Sequence, residues 1–541
     1  MLKKICFVAH EFGFFSGHGG IAAYLHNICK YILQSHKYLE VYILVNCYDK
    51  QSELLNYEKL HIIEISDSKD VYRYLTSINP DFVEVADYGA FALDCLLAKN
   101  LNGEFSNTIF AVHHHTASRE CYEWNTLLPI KYANDFTKNW FMKEKLQIML
   151  ADAQISPSNF MSDYVRKNYF IHDEIRAFNH INVEHIKNKE ILVNELSKIY
   201  DFEQFKGTFN IIIISRVEGR KNQRFLIDQF IKFRKKVSKS KLFIVGNSNY
   251  DEITNEEYRF QIFKEIPIEY RNDILFFDFA NAKQKDKFIA IGDLCVLPST
   301  FESFSIALGE TILKGVPGMA SKYTGCCDYL GDTKDITTFD PFDNNDLADK
   351  IEKFYNLSKE DKMKILLTQQ ETFSKVTSPV ISVDSRLEWI NKKLESKREY
   401  NRIDSWQYVN NQENIIFSKK HLILTPNSKK NSIINKFLKN FILNNNFIDK
   451  IIIFNHSYAY INEVIDAVFY GCPIMILNAD SIFTKGKSIS YRNILDYVNS
   501  RKEQVIEIAI TDLGELEHNK THLNFMLSLN EKLNLQGKVN G

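Results

Sequence analysis

The chain has 541 residues, 45% of them apolar, with 67 basic against 68 acidic side chains and a net charge of −1. That length supports two or three domains, each able to bury its own core. The balanced charge excludes a global field that would draw nucleic acid, so any anion site has to be local. Nine cysteines are scattered without metal-type spacing, and the adjacent Cys326 and Cys327 suit neither a zinc knuckle nor a disulfide framework, which fits a reducing cytoplasm. No run reaches the roughly 18 apolar residues needed to span a bilayer. The apolar stretch after Lys3 and Lys4 is too short for a signal-peptide core.

Ile5 to Ala9 reads as a buried strand. It feeds a glycine-rich loop, Ser16-Gly17-His18-Gly19-Gly20, and a helix with Ile21, Leu25, Ile28 and Ile32 on one face. Glycines admit close backbone approach, and a helix N-terminus offers free N–H groups to phosphate. The spacing fits neither G-x-x-x-x-G-K-[ST] nor G-x-G-x-x-G, so a nucleoside-triphosphatase loop is not expected.

Val41 to Val45 and Asp81 to Asp87 are predicted strands, the second followed by a helix through Leu93, Leu96 and Leu97. Thr108 to Val112 is a third and runs into His113-His114-His115-Thr116. In an extended segment His113 and His115 share a face and His114 points away. Two histidines without a nearby third ligand make a poor metal site. Ala151 to Phe160 closes this half, with Ser158 placed to cap the next helix.

Phe209 to Ile214 is a β-branched run and hence a central strand. It leads into a basic loop from Ser215 to Asn222 that carries Arg216, Arg220 and Lys221. Strands follow at Lys241 to Val245 and Ile274 to Phe277, then a helix from Asp286 to Ile291. Asp293 to Leu297 is a short apolar run suited to a buried parallel strand, ended by Pro298-Ser299-Thr300. A loop carries Glu302, Ser303 and Phe304. Ile306 to Lys314 has helical spacing, which Gly315-Val316-Pro317 stops. Glu302 and Glu310 thus stand eight positions apart, one at the carboxyl end of a strand and one in the first turns of a helix. In an open α/β sheet that place is a ligand crevice.

The pattern Asp293-x4-Pro298-Ser299-x2-Glu302-x7-Glu310-x4-Gly315-x-Pro317 resembles the donor-sugar motif of retaining glycosyltransferases of the GT-B fold, glycosyltransferase family 4 above all. The resemblance covers about residues 1 to 400. It implies an α/β protein with two Rossmann-like domains, 1–195 and 196–378, facing a central crevice. A closing helix over 379–400 would cross back to the first domain.

The resemblance also implies roles. Glu310 would hold the ribose hydroxyls and Glu302 the sugar hydroxyls. Arg216 and Lys221 match the family's two cations, with Ser215 and Asn222 standing where it has glycines. They would stabilise the charge that builds on the leaving diphosphate. Gly19 and Gly20 would bring the first loop to the reacting centre. His115-Thr116 matches a histidine beside the donor sugar, with His113 as the other register. Ser303, Phe304 and Ser305 would complete the donor site, and Asp328 sits near a place where the family often has an acidic residue. Two cations in place of a divalent ion imply that no metal and no cofactor is required. No enzyme nucleophile is evident, so catalysis would rest on positioning and electrostatics.

The remaining residues, 401–541, are not a disordered tail by pattern. His421 to Leu424, Ile451 to Phe454, Ile474 to Leu477 and Ile506 to Ile510 read as strands with helices between them, an appended α/β extension. Lys429 to Lys450 is basic and amphipathic, which suits a core-facing helix or an anionic membrane surface. Ser457…Asp466-x4-Gly471-Cys472-Pro473 parallels Ser299…Glu310-x4-Gly315-Val316-Pro317, as either an internal echo or a shared βα geometry.

The expectation is a retaining, metal-independent hexosyltransferase, cytoplasmic or peripheral at the inner face of the membrane. It would take a UDP- or GDP-linked donor and a glycan, lipid-linked or protein acceptor, in surface polysaccharide or glycoconjugate synthesis, without nucleic acid. A sugar-nucleotide epimerase of similar fold and a non-catalytic GT-B partner subunit are the alternatives. Membrane contact and homo-oligomerisation stay open.

Overall fold

A computed structural model describes residues 2–396 except 14–18, 103, 129–131, 170–172, 182–188, 200, 252–253 and 279–281, and beyond 396 it describes four strands. Two parallel sheets carry the described part up to 396. The first has β1 (Lys4–Phe12), β2 (Glu40–Tyr48), β3 (Leu60–Glu64), β4 (Phe82–Ala86), β5 (Ile109–His113), β6 (Ala153–Ser156) and β7 (Glu174–Arg176), in the order β3-β2-β1-β4-β5-β6-β7. The second has β8 (Phe209–Ile214), β9 (Ser240–Val245), β10 (Ile274–Phe277), β11 (Leu294–Leu297), β12 (Gly318–Ser321) and β13 (Thr338–Phe339), in the order β10-β9-β8-β11-β12-β13.

In both sheets the strand order reverses once, between β1 and β4 and between β8 and β11. Ligand crevices of open α/β sheets lie at such reversals, outside the carboxyl ends of the strands. Helices cover both faces, which is why the central strands are apolar without alternation. In β8, Ile212 and Ile214 pack with Phe304 and Leu308 on one face. Ile211 and Ile213 pack with Leu226 and Phe230 on the other.

After the second sheet the chain returns to the first. A π-helical turn, Val380–Asp384, runs into a helix, Ser385–Ser396. Val383, Leu387 and Ile390 join the core of Phe7, Tyr24 and Leu25. Tyr31 Oη donates to Asp384 at 3.0 Å, and Asn391 Oδ1 accepts from the Leu2 N–H at 2.8 Å.

The four predicted strands of the extension are present as β14 (His421–Pro426), β15 (Lys450–Phe454), β16 (Ile474–Leu477) and β17 (Val505–Ile510). They form one parallel sheet in the order β16-β15-β14-β17. The amphipathic stretch 429–449 and the echo at 457–473 lie outside the described residues.

The sequence reading did not anticipate β3, β7 and β13. β3 and β7 are edge strands with half-exposed residues, and β13 has two residues, so none carries a hydrophobic run. The helix predicted from Asp286 begins at Ala282. Among the described residues no helix is long and apolar enough to cross a membrane.

Candidate functional site

The basic loop leaves β8 and makes one tight turn, Gly219–Lys221, ended by Asn222 at φ 57° and ψ 38°. This left-handed conformation favours glycine, and asparagine is among the few other residues that visit it routinely. The Thr300 N–H donates to the Arg220 carbonyl at 2.9 Å, which ties the turn to the loop after β11. The turn sends Arg220 and Lys221 inward, 5% and 7% exposed, and leaves Arg216 outward and exposed.

Inside, Lys221 Nζ pairs with Glu302 Oε2. Arg220 lies 3.5 Å from the same oxygen and 3.0 Å from Glu218 Oε1. Burial alone would raise the Glu302 carboxyl, but Lys221 and Arg220 outweigh it and hold it below the usual carboxylate range. Two buried anions thus face two buried cations, and Arg216 stands at the rim. The sequence gives Arg220 no role beyond being one more cation of the basic loop; the turn at Asn222 buries it.

The second glutamate of the motif is also engaged. Glu310, on the helix Ile306–Leu313, pairs with Lys285 of the helix Ala282–Ile291. Ser305 opens the former helix at φ 58° and caps it, its Oγ accepting from the Leu308 N–H at 3.4 Å. The backbone N–H groups of Ser303, Phe304 and Ser305 find no acceptor among the described residues. Such N–H groups before a helix N-terminus make a ready seat for phosphate oxygens. Phe304 can offer only its backbone there, because its ring is 1% exposed and packs on Tyr329 and Phe373.

His115 comes from the other sheet. Its N–H and that of Thr116 both donate to the buried Asp87 carboxylate, each at 3.0 Å. Its carbonyl accepts from Ser303 Oγ at 3.0 Å, so this strand end touches the Glu302 loop directly. His113 stacks on His115 at 4.1 Å, while His114 turns away to Gln154 Oε1 at 2.9 Å, as strand alternation requires. Burial, with His113 and His114 close by, pushes His115 well below the usual imidazole range, so the ring is neutral. In the first loop the Gly19 N–H donates to Glu11 Oε1 at 2.6 Å. A side chain at Gly20 would meet nothing within 4 Å, so space does not dictate that glycine.

The two halves are packed together at this point. Phe301, 2% exposed, is surrounded by rings of the first half: Trp124 at 6.0 Å, Phe160 at 5.4 Å and Tyr164 at 4.8 Å. The Arg220 N–H donates to Asn125 Oδ1 at 2.9 Å. Ser158 caps its helix as expected, and its hydroxyl also donates to the Ser303 carbonyl at 2.7 Å. Asp328 accepts from the Asn159 N–H at 2.6 Å, which gives it a place in the contact between the halves. Sequence reasoning missed Arg220, Asn125 and Phe301. Of these only Phe301, between Pro298-Ser299 and Glu302, carried a signal, an aromatic ring in a loop.

Residues 198–365 match the family model described as Glycosyl transferases group 1. Among solved structures, sucrose-phosphate synthase from Thermosynechococcus elongatus is similar with a TM-score of 0.57 at 13% identity, over 73% of this chain and 100% of that one. Anabaena HepE in complex with UDP and glucose gives 0.54 at 16% identity, over 72% and 100%. A glycosyltransferase from Rickettsia africae gives 0.53 at 17% identity, over 72% and 98%. No curated protein matches the chain. At these identities the likeness is one of fold, and the fold is GT-B: two Rossmann-like domains, here followed by a further parallel sheet.

Proposed function

We propose that the protein is a retaining glycosyltransferase that moves a sugar from a nucleoside-diphosphate donor to a glycan, lipid-linked or protein acceptor, with surface polysaccharide or glycoconjugate synthesis as its setting. The observation that carries this reading is the convergence of Lys221, Arg220, Glu302 and His115 where the ends of the two sheets meet. The match of residues 198–365 to a glycosyltransferase model supports it. So does the fold shared with HepE, whose structure holds UDP and glucose.

In this reading Arg216 and Lys221 hold the diphosphate, and the free N–H groups of Ser303 to Ser305 donate to the remaining phosphate oxygens. Charge grows on the leaving diphosphate as the glycosidic bond breaks, and donors fixed beforehand stabilise it without reorganisation. Glu310 takes the ribose hydroxyls and Glu302 the sugar hydroxyls. The neutral His115 lies against the sugar and places it. The leaving phosphate takes the acceptor proton, so no side chain has to act as nucleophile. The packing of the halves around Phe301 excludes water and so limits hydrolysis of the donor.

Product stereochemistry tests the retaining step. Proton NMR of the transfer product formed from an α-linked donor should show an α-glycosidic anomeric signal. A β-anomer as first product would overturn the assignment. Appearance of an epimerised sugar nucleotide without any acceptor would replace transfer by epimerisation.

A further inference from the structure

Behind His115 lies a buried polar cluster that the proposed chemistry does not use. Arg386, on the returning helix, is 1% exposed. Its Nη1 donates to Glu84 Oε2 at 2.8 Å and also bonds the Tyr24 hydroxyl. Glu84, on β4, accepts through Oε1 from Tyr24 and from His113 Nδ1, the latter at 2.8 Å. His113 then stacks on His115 at 4.1 Å with 27° between the rings, and the Tyr24 ring lies 5.1 Å from His115. Four segments far apart in sequence therefore meet in one cluster with no access to water.

The cluster is an expensive way to hold a helix. Arg386 Nε and Nη2 and His113 Nε2 are buried without partners among the described residues. Well-packed apolar residues in the place of a buried ion pair commonly give equal or better stability. The apolar contacts of Val383, Leu387 and Ile390 already dock the same segment. What the cluster adds is direction. Glu84 accepts at His113 Nδ1, which places the proton on that nitrogen and fixes the ring plane against which His115 stacks.

We propose that Arg386, acting through Glu84 and His113, is a positioning residue for His115, so that the returning segment must be docked for the reacting end of the first sheet to be in order. The groups that face His113 are Glu84 from β4, Tyr24 from the first helix, Arg386 from the returning helix, and Asp87 and His115 beyond the strand end. Burial alone would raise the Glu84 carboxyl, but Arg386 and the hydrogen bond from His113 hold it at about 2. Burial, with Arg386 adding to it against Glu84, keeps His113 below the usual imidazole range. Removing the guanidinium removes a like charge and lets His113 take up a proton at higher pH.

The kinetic arm of the test rests on the transferase reading; the spectroscopic arm does not. Arg386→Met, Arg386→Lys, Glu84→Gln and the double variant Arg386→Met/Glu84→Gln are compared with the wild-type chain. The double variant removes both charges together and keeps the fold where Arg386→Met alone leaves a buried carboxylate unpaired. For Glu84→Gln and the double variant, kcat for nucleoside-diphosphate release should fall about 10-fold or more, the scale of a misplaced reacting group, with donor KM within about 3-fold. Arg386→Met should add an acid limb to the pH–rate profile that Arg386→Lys does not show. In protein labelled with ¹⁵N-histidine, one imidazole that stays neutral in wild type should titrate in Arg386→Met and recover in Arg386→Lys. Wild-type kcat and profile in the folded double variant would overturn the proposal. So would losses that follow melting temperature alone while the histidine titration is unchanged. If no donor is turned over by the wild type, the titration still decides the positioning claim, and only the transferase reading falls.

Discussion

Lys221 and Glu302 form a buried ion pair between the loop after β8 and the loop after β11. The pair joins the residue assigned to the diphosphate to the residue assigned to the sugar. In the absence of donor each neutralises the other, and Arg220 and Glu218 complete a balanced set. On the proposed roles, a donor that brings its own negative charge to Lys221 would release Glu302 to accept from sugar hydroxyls, which would link phosphate binding to sugar recognition through one contact.

Lys221→Ala should lower turnover at least ~100-fold, the scale for losing one stabiliser of transition-state charge. It also leaves Glu302 buried beside Arg220 alone, so a drop in melting temperature should accompany it. Lys221→Ala/Glu302→Gln should regain much of that stability without regaining turnover. Steady-state kinetics and thermal melts on both variants check this, and near-normal turnover in Lys221→Ala would remove the diphosphate assignment.

Gly219 sets how closely the halves approach. A Cβ there would sit 2.0 Å from the Asn125 carbonyl oxygen, and 2.7 Å from its carbonyl carbon. Backbone cannot rotate away as a side chain can, so Gly219→Ala has to push the halves apart. Small-angle scattering should show a larger radius of gyration, and kcat/KM for the donor should fall. An unchanged scattering profile would mean that the turn moves instead of the domains.

Asn222 stands where a glycine would meet the same backbone demand, at φ 57°. Asn222→Gly should be close to neutral in stability and activity. Asn222→Ala should cost roughly 1–2 kcal/mol, the penalty of a Cβ in the left-handed region. Chemical denaturation of the two variants measures the difference. Equal losses in both would point to the Asn222 side chain instead of its conformation.

Glu144 should give the protein a pH dependence near neutrality. It accepts from the Gly89 N–H at 2.8 Å and from the Ser118 N–H and hydroxyl, both at 2.7 Å. Burial pushes its carboxyl from 4.5 up to about 8. The folded state therefore holds a proton that the unfolded state has lost between these two values, and stability falls as pH rises through that window. Thermal melts from pH 5.5 to 8.5 should lose several degrees in the wild type. The slope should flatten in Glu144→Gln, and parallel curves would contradict the assignment.

The parts of this structure that were legible in the sequence are those that periodicity and turn chemistry write locally. Phe209–Ile214 reads as a central strand because both of its faces are buried. Ser158 reads as a cap because its side chain bonds three residues ahead. The alternation of His113, His114 and His115 follows from strand geometry alone. What sequence could not supply is long-range. Arg220 and Arg216 look alike in the loop, yet the turn at Asn222 buries one and exposes the other. Glu84 is one acid among 68 until the fold brings Arg386, 302 positions later, against it. Phe304 looked like a donor contact by its place in the motif, but its ring faces the core.

The most direct measurement is nucleoside-diphosphate release from UDP-, GDP- and ADP-sugars by the wild-type chain, with and without EDTA, and with Lys221→Ala in parallel. Slow release from one donor in the absence of acceptor, unchanged by EDTA and lost in the variant, is the expected result. Release that EDTA abolishes, or that Lys221→Ala leaves intact, would contradict it.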